Sequence, residues 1–356
     1  QYNTIIVGTG AAGLNAAVTL HKLGQKNIAL ITEGRYMGTS RNTGSDKQTY
    51  YKMTQCGSEP DSVRKMAKTL FEGGCVDGDI AMAEAAGSLR AFYHLVDIGV
   101  PFPFNKSGEY VGYKTDHDPL KRGISAGPLT SKYMTECLER QAEERGIPFF
   151  DGYQAVRLLT EEKDGEKRAA GIIALNKQKA ASPDERYAVF SAVNIIWATG
   201  GEAGMYQASV YPVSQTGGMG VLLEAGAVAK NLTESQFGIA SVKHRWNLSG
   251  TFQQCLPRYL SAEQDGSHER EFLNDYFDTP RQLLTAIFLK GYQWPFDPRK
   301  AEGSSRVDIL VKAEEDAGRR VYMDYTRNPA GFAPENLSTE AREYLENCGA
   351  LRATPL

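Results

Sequence analysis

The residues best suited to chemistry stand at the very start of the chain. Gly8, Gly10 and Gly13 follow an apolar run, Asn3 to Val7, and lead into residues 11–23, where Leu14, Ala17, Val18 and Leu20 recur at helical spacing. In that setting Gly8 permits a tight turn out of a strand, Gly10 lets the backbone approach a pyrophosphate, and Gly13 lets the next helix lie close on the sheet. A helix opening at Ala11 and Ala12 turns free N–H groups and a positive dipole end toward phosphates. A second apolar run, Asn27 to Thr32, ends at Glu33, where a carboxylate can accept ribose hydroxyls and would disfavour a 2′-phosphate. Strand, glycine turn, helix and acid together make a dinucleotide-binding fingerprint.

Two more glycine loops and one polar stretch extend it. A short strand from Val193 ends in Ala198, Thr199, Gly200 and Gly201, small residues that allow close approach of a ligand. Thr216, Gly217 and Gly220 then precede a helix over 221–225. Between Gly38 and Lys47 the chain is polar and glycine-bearing, a place where a helix is difficult, and it leaves the ligand end of the second strand. Three loops suit a large, permanently held flavin better than a diffusible nicotinamide.

These loops need a scaffold. Helical periodicity runs over 61–70, 80–97 and 130–145, while 102–128 is irregular. Short strands at 155–159, 168–175 and 188–192, parted by charged turns, form a meander that feeds the return strand from Val193. From about Ser235 aromatic and charged residues mix, with helices expected over 281–290 and 304–315 and a strand over 320–325. The reading is α/β: a Rossmann-like dinucleotide domain with a β-meander insertion over 1–235, and an α+β domain over 236–350.

Composition narrows the function. A chain of 356 residues accommodates two domains, and a net charge of −3 gives no electrostatic case for nucleic acid. No apolar run approaches the roughly 20 residues needed to span a bilayer, and the first strand begins at once, so a cytoplasmic protein without a membrane span or signal peptide is expected. Cys56, Cys75, Cys137, Cys255 and Cys348 share no metal-type spacing with one another or with the histidines. No metal site is expected, and redox chemistry must come from an organic cofactor.

With these motifs in place the chain resembles the flavoprotein subunits of succinate dehydrogenase and fumarate reductase, a family that includes L-aspartate oxidase and soluble enoate reductases. The resemblance rests on Gly8 to Gly13, Thr199 to Gly201, the loop from Thr216 to Gly220 with Glu224 to Ala227, and Glu271 to Asp275. It implies FAD held by Gly8, Gly10, Ala11, Ala12, Gly13, Glu33, Gly34, Ser40, Thr43, Gly44, Ser45, Ala155, Ala198, Thr199, Gly200, Thr216, Gly217 and Gly220, with residues 236–350 as a capping, substrate-binding domain. Membrane-bound relatives tether FAD through a histidine, whereas the comparable stretch here is Ser40 to Gly44, so non-covalent FAD is expected. Gly218 stands where the family's glycine loop carries an acid, and Gly238 where dicarboxylate enzymes carry a histidine. Residues 351–356 resemble the start of a return to the FAD domain whose remainder is absent, which implies a fragment, or a split protein completed by a partner chain.

The resemblance also implies an activity: reduction of an activated C=C bond of a small molecule by hydride from flavin N5, with an arginine delivering the proton. Arg306 matches that arginine best; Arg258 and His244 are candidates for substrate recognition, a guanidinium by clamping a carboxylate and an imidazole by donating near neutral pH. Electrons would come from a reductase or another subunit. The alternatives are an electron-transfer or catalytically incomplete flavoprotein chain, and an amino-acid oxidase of the L-aspartate oxidase type.

Overall fold

The computed structural model describes residues 1–43, 48–73, 76–115, 118–201, 215, 217–230, 239–241, 243, 246–247, 250–293 and 296–351. The chain divides into two compact units. Unit 1 comprises Gln1–Tyr113 and Arg122–Thr233, unit 2 Lys114–Lys121 and Glu234–Leu356.

Unit 1 is built on β1 (Tyr2–Val7), α1 (Ala11–Lys22), β2 (Ile28–Thr32), α2 (Thr39–Asn42), β3 (Tyr50–Tyr51), α3 (Val63–Glu72), α4 (Gly78–Asp97), β4 (Gly123–Ile124), α5 (Thr130–Glu144), β5 (Phe149–Asp151), β6 (Tyr153–Lys163), β7 (Glu166–Asn176), β8 (Tyr187–Trp197) and α6 (Met219–Glu224). Its sheet has the order β5-β2-β1-β8-β7-β6. The first four strands pair in parallel, and β8-β7-β6 are antiparallel. The two segments expected at 188–192 and from 193 are one strand: the first half of β8 pairs with β7 and the second half with β1. That continuity makes the meander an extension of the sheet that carries the glycine turn.

Both faces of β1 and β2 are covered, which explains their unbroken apolar runs. Ile6, Ile28 and Leu30 face a core with Leu14, Ala17 and Val18 of α1 and Leu138 of α5. Ile5, Val7 and Ile31 face the meander through Ile172, Ala174 and Phe190. Each such buried aliphatic contributes about 1.5–3 kcal/mol.

Two local expectations fail for identifiable reasons. The stretch after Gly38 does hold one helical turn, α2, because Arg41 pairs with Glu139 and lies 3.6 Å from Glu136, tying that turn to α5. The helix expected from Asp61 starts at Val63: Ser62 caps it by accepting from the Lys65 N–H, and Asp61 turns away to a buried ion pair with Arg122 at 2.7 Å.

Unit 2 contains β9 (Ala240–Ser241), β10 (Trp246–Asn247), α7 (Gly250–Gln254), β11 (Arg258–Ala262), α8 (Pro280–Lys290), α9 (Arg306–Asp316), β12 (Arg320–Asp324) and α10 (Thr339–Asn347). β9 pairs with β10 and β11 with β12, both antiparallel. A capping box between Thr279 and Gln282, with Pro280 following, starts α8. Its core gathers Leu256, Tyr259, Phe272, Leu283, Leu284, Ile287, Phe288, Val307 and Leu337. Among the described residues no helix is long and apolar enough to cross a membrane.

Candidate flavin cleft

A cleft of about 560 Å³ opens in unit 1 at the ends of β1, β2 and β8. Backbone packing makes it possible. Gly8 has φ +105°, and a Cβ there would overlap the Ala198 carbonyl. A Cβ on Gly13 would overlap the Gly8 carbonyl oxygen. These two glycines therefore set the spacing between α1, β1 and the return strand, the roles their positions suggested. Gly8 N–H donates to the Ile31 carbonyl at 2.8 Å and Ala198 N–H to the Val7 carbonyl at 2.7 Å, locking the three strand ends together.

The cleft gathers most of the expected cofactor residues. Gly8, Gly10, Ala11, Ala12, Glu33, Gly34, Ser40, Ala155, Ala198, Thr199, Gly200 and Gly217 all line it. Ser40 Oγ accepts from the Ala11 N–H at 3.2 Å, so α2 is positioned against the first turn of α1. The Glu33 carboxylate accepts from Lys177 Nζ at 2.8 Å. Gly13, Thr43 and Gly220 are not in the lining: Gly13 packs on Gly8, Thr43 closes α2 by donating to the Thr39 carbonyl, and Gly220 lies within α6. Gly44, Ser45 and Thr216 lie outside the described residues.

Several lining residues escaped the sequence reading. Thr9 donates to Thr32 at 3.0 Å, and Met37, Thr39, Tyr153, Gln154, Trp197 and Gln215 also contribute. Thr39 Oγ1, Thr199 Oγ1 and Trp197 Nε1 are closed off from solvent and have no hydrogen-bond partner among the described residues. The only sequence signal for Thr39 and Trp197 was adjacency to residues already singled out.

The FAD binding domain family matches residues 3–264. The chain belongs to that family. Among similar proteins are L-aspartate oxidase of Pseudomonas aeruginosa, 28% identical over 95% of this chain and 60% of the relative, and the succinate dehydrogenase flavoprotein subunit of Coxiella burnetii, 24% identical over 67% of this chain and 40% of the relative. Of solved structures, the E. coli quinol fumarate reductase FrdA aligns over 94% of this chain and 55% of its own, with TM-score 0.63 and 19% identity; it shares the fold. The chain spans 42 to 60% of the length of the L-aspartate oxidases that it matches.

FAD is the cofactor of this family member, and the cleft's chemistry fits it. Glycine backbone and the start of α1 suit phosphates, a carboxylate suits ribose hydroxyls, and the three unpartnered polar atoms suit a ligand rich in acceptors and hydroxyls.

The residues singled out in unit 2 have different surroundings. Arg258 lies in β11 directly opposite Asp324 in β12. Its Nε donates to Asp324 at 2.8 Å and its Nη1 to Glu271 at 3.1 Å. The hydrogen bonds that it donates to Asp324 lead in raising its already high pKa. Arg258 is thus a cross-strand tie rather than a free carboxylate clamp. Tyr259 is buried and donates to Gln253, and burial pushes its phenol well above the usual range, which places it in the core. Arg306 opens α9 with a side chain 35% exposed, 3.5 Å from Glu302 and with its guanidinium 5.4 Å from the Phe277 ring centroid. His244 and Gly238 lie outside the described residues.

Proposed function

We propose that the full-length protein is an FAD-dependent oxidoreductase that reduces an activated carbon–carbon double bond of the enoate type. The observation that supports flavin chemistry is the cleft of unit 1, whose glycine backbone, Glu33 and unpartnered hydroxyls suit a flavin dinucleotide in a chain of the FAD binding family; the enoate substrate rests on the resemblance of Arg306 to the family's proton-delivering arginine. Bound FAD would supply the two-electron redox chemistry. The chain's residues supply the grip: N–H groups of Gly10 and Ala12 at the start of α1 would meet phosphate charge, and Glu33, steadied by Lys177, would accept ribose hydroxyls. Without a histidine in Ser40 to Thr43, the cofactor is held non-covalently.

Arg306 is the proposed proton donor. An arginine stays protonated in water, so delivery of a proton needs a coupled acid and a dry surrounding. Glu302, itself exposed, is the carboxylate nearest Arg306, and the Phe277 ring covers one side of the guanidinium, so the dry surrounding would have to come with bound substrate. Electrons would reach the flavin from a separate reductase or subunit, a reading supported by relatives named as flavoprotein subunits.

The test is anaerobic stopped-flow mixing of the photoreduced, full-length flavoprotein with a panel of enoates. Reoxidation by at least one acceptor, slowed in Arg306→Ala with flavin content unchanged, is expected; failure of every acceptor would sink the reading. A second reading, oxidation of an L-amino acid, is favoured by three L-aspartate oxidases at 24–28% identity. Rapid reoxidation by oxygen with peroxide release, dependent on an added amino acid, would establish it instead.

A further inference from the structure

We propose that Trp197 is a flavin-binding residue: its indole N–H, together with the Thr199 hydroxyl, donates to oxygen atoms of bound FAD beside Gly218. The inference rests on FAD as the cofactor and on three observations. First, Trp197 closes β8 in register with Val7, and the Ala198 N–H bond to the Val7 carbonyl fixes the strand end, so the indole is delivered to the cleft by the sheet itself. Second, Trp197 Nε1 and Thr199 Oγ1 are both shielded from solvent and lack a partner among the described residues. An indole nitrogen can only donate, so its partner must be an acceptor. Third, a Cβ built on Gly218 would lie 2.6 Å from Trp197 Nε1 and 2.5 Å from Thr199 Oγ1. The two polar atoms therefore converge on the side-chain space of the residue that is an acid in the resembled family.

The exchange makes chemical sense. A hydroxyl of a dinucleotide donates to a carboxylate, and the same hydroxyl accepts from an indole N–H, so one ligand group can be met from either side. The glycine at 218 is then required by Trp197 and Thr199, and the loop has traded an acceptor for two donors.

The test compares FAD affinity by flavin-fluorescence titration in wild type, Trp197→Phe and Thr199→Val, with melting of each apoprotein as the control for folding. Trp197→Phe should weaken FAD about tenfold while leaving apoprotein melting close to wild type. Thr199→Val should weaken it by a smaller factor. Indole-¹⁵N labelling of the wild type gives three resonances, for Trp197, Trp246 and Trp294, and the one missing in Trp197→Phe should move on FAD addition. Unchanged affinity in Trp197→Phe, or an indole resonance that stays put when wild type binds FAD, would overturn the proposal. If Trp197→Phe fails to fold, Thr199→Val and the three wild-type resonances decide it: normal affinity with no resonance moving overturns it.

Discussion

In unit 1 the chemistry is presented by backbone and small side chains around a cleft, with three polar atoms that have no partner among the described residues. In unit 2 the charged residues most suggestive of chemistry are bound to one another: Arg258 to Asp324 and Glu271, and Lys290 to Asp308 at 2.5 Å. The contrast separates two uses of polar groups. Where open partners cluster around a cleft they suit a ligand, whereas the ion pairs of Arg258 and Lys290 are architecture. The charge of an arginine, read without its neighbours, does not distinguish the two.

The contrast can be broken first at Gly13. Gly13→Ala pushes α1 off β1 through the Gly8 carbonyl and should weaken FAD binding about a hundredfold, with a lower melting temperature. An alanine variant that melts and binds as wild type would remove the packing argument. In unit 2, Lys290→Met removes the buried ammonium beside the half-buried Asp308 carboxylate, whose pKa burial already raises against the pull of Lys290. Urea unfolding should show a loss of about 3–5 kcal/mol, largely recovered by adding Asp308→Leu.

Smaller effects sharpen the comparison. Glu33→Ala should weaken FAD about tenfold without changing apoprotein melting, and an unchanged dissociation constant would show that Glu33 does not hold the ribose. The smallest effect concerns acid. The Thr326 backbone N–H, the Thr326 hydroxyl and then Arg258 hold Asp324 at a pKa of about 2. A carboxylate depressed on folding adds stability above its unfolded pKa of about 4 and loses it as pH falls toward 2. Asp324→Asn should flatten that acid limb of a pH–melting curve; a limb of unchanged slope would show that Asp324 contributes nothing to it.

How much was legible follows from the range of the forces involved. The glycine turn, α1, β2 and Glu33 were readable because a tight turn, a close approach and a strand end each demand a local residue type. The continuity of β8 was hidden, since Ala192 and Val193 carry no mark of the change of partner from β7 to β1. Helix α2 was missed because Glu139, a distant residue in sequence, holds it in place. The partners of Arg258 were hidden for the same reason: Asp324 lies across a strand pair that no spacing rule reveals. Trp197 read as one more apolar residue of a strand, because the lack of a partner for its N–H exists only in three dimensions.

The most direct measurement is the FAD dissociation constant and apoprotein melting temperature of the same protein carrying either Glu33→Ala or Arg258→Met. The account predicts weaker FAD with unchanged melting for the first, and lower melting with unchanged FAD affinity for the second. Normal FAD affinity in Glu33→Ala together with lost affinity and normal melting in Arg258→Met would contradict it.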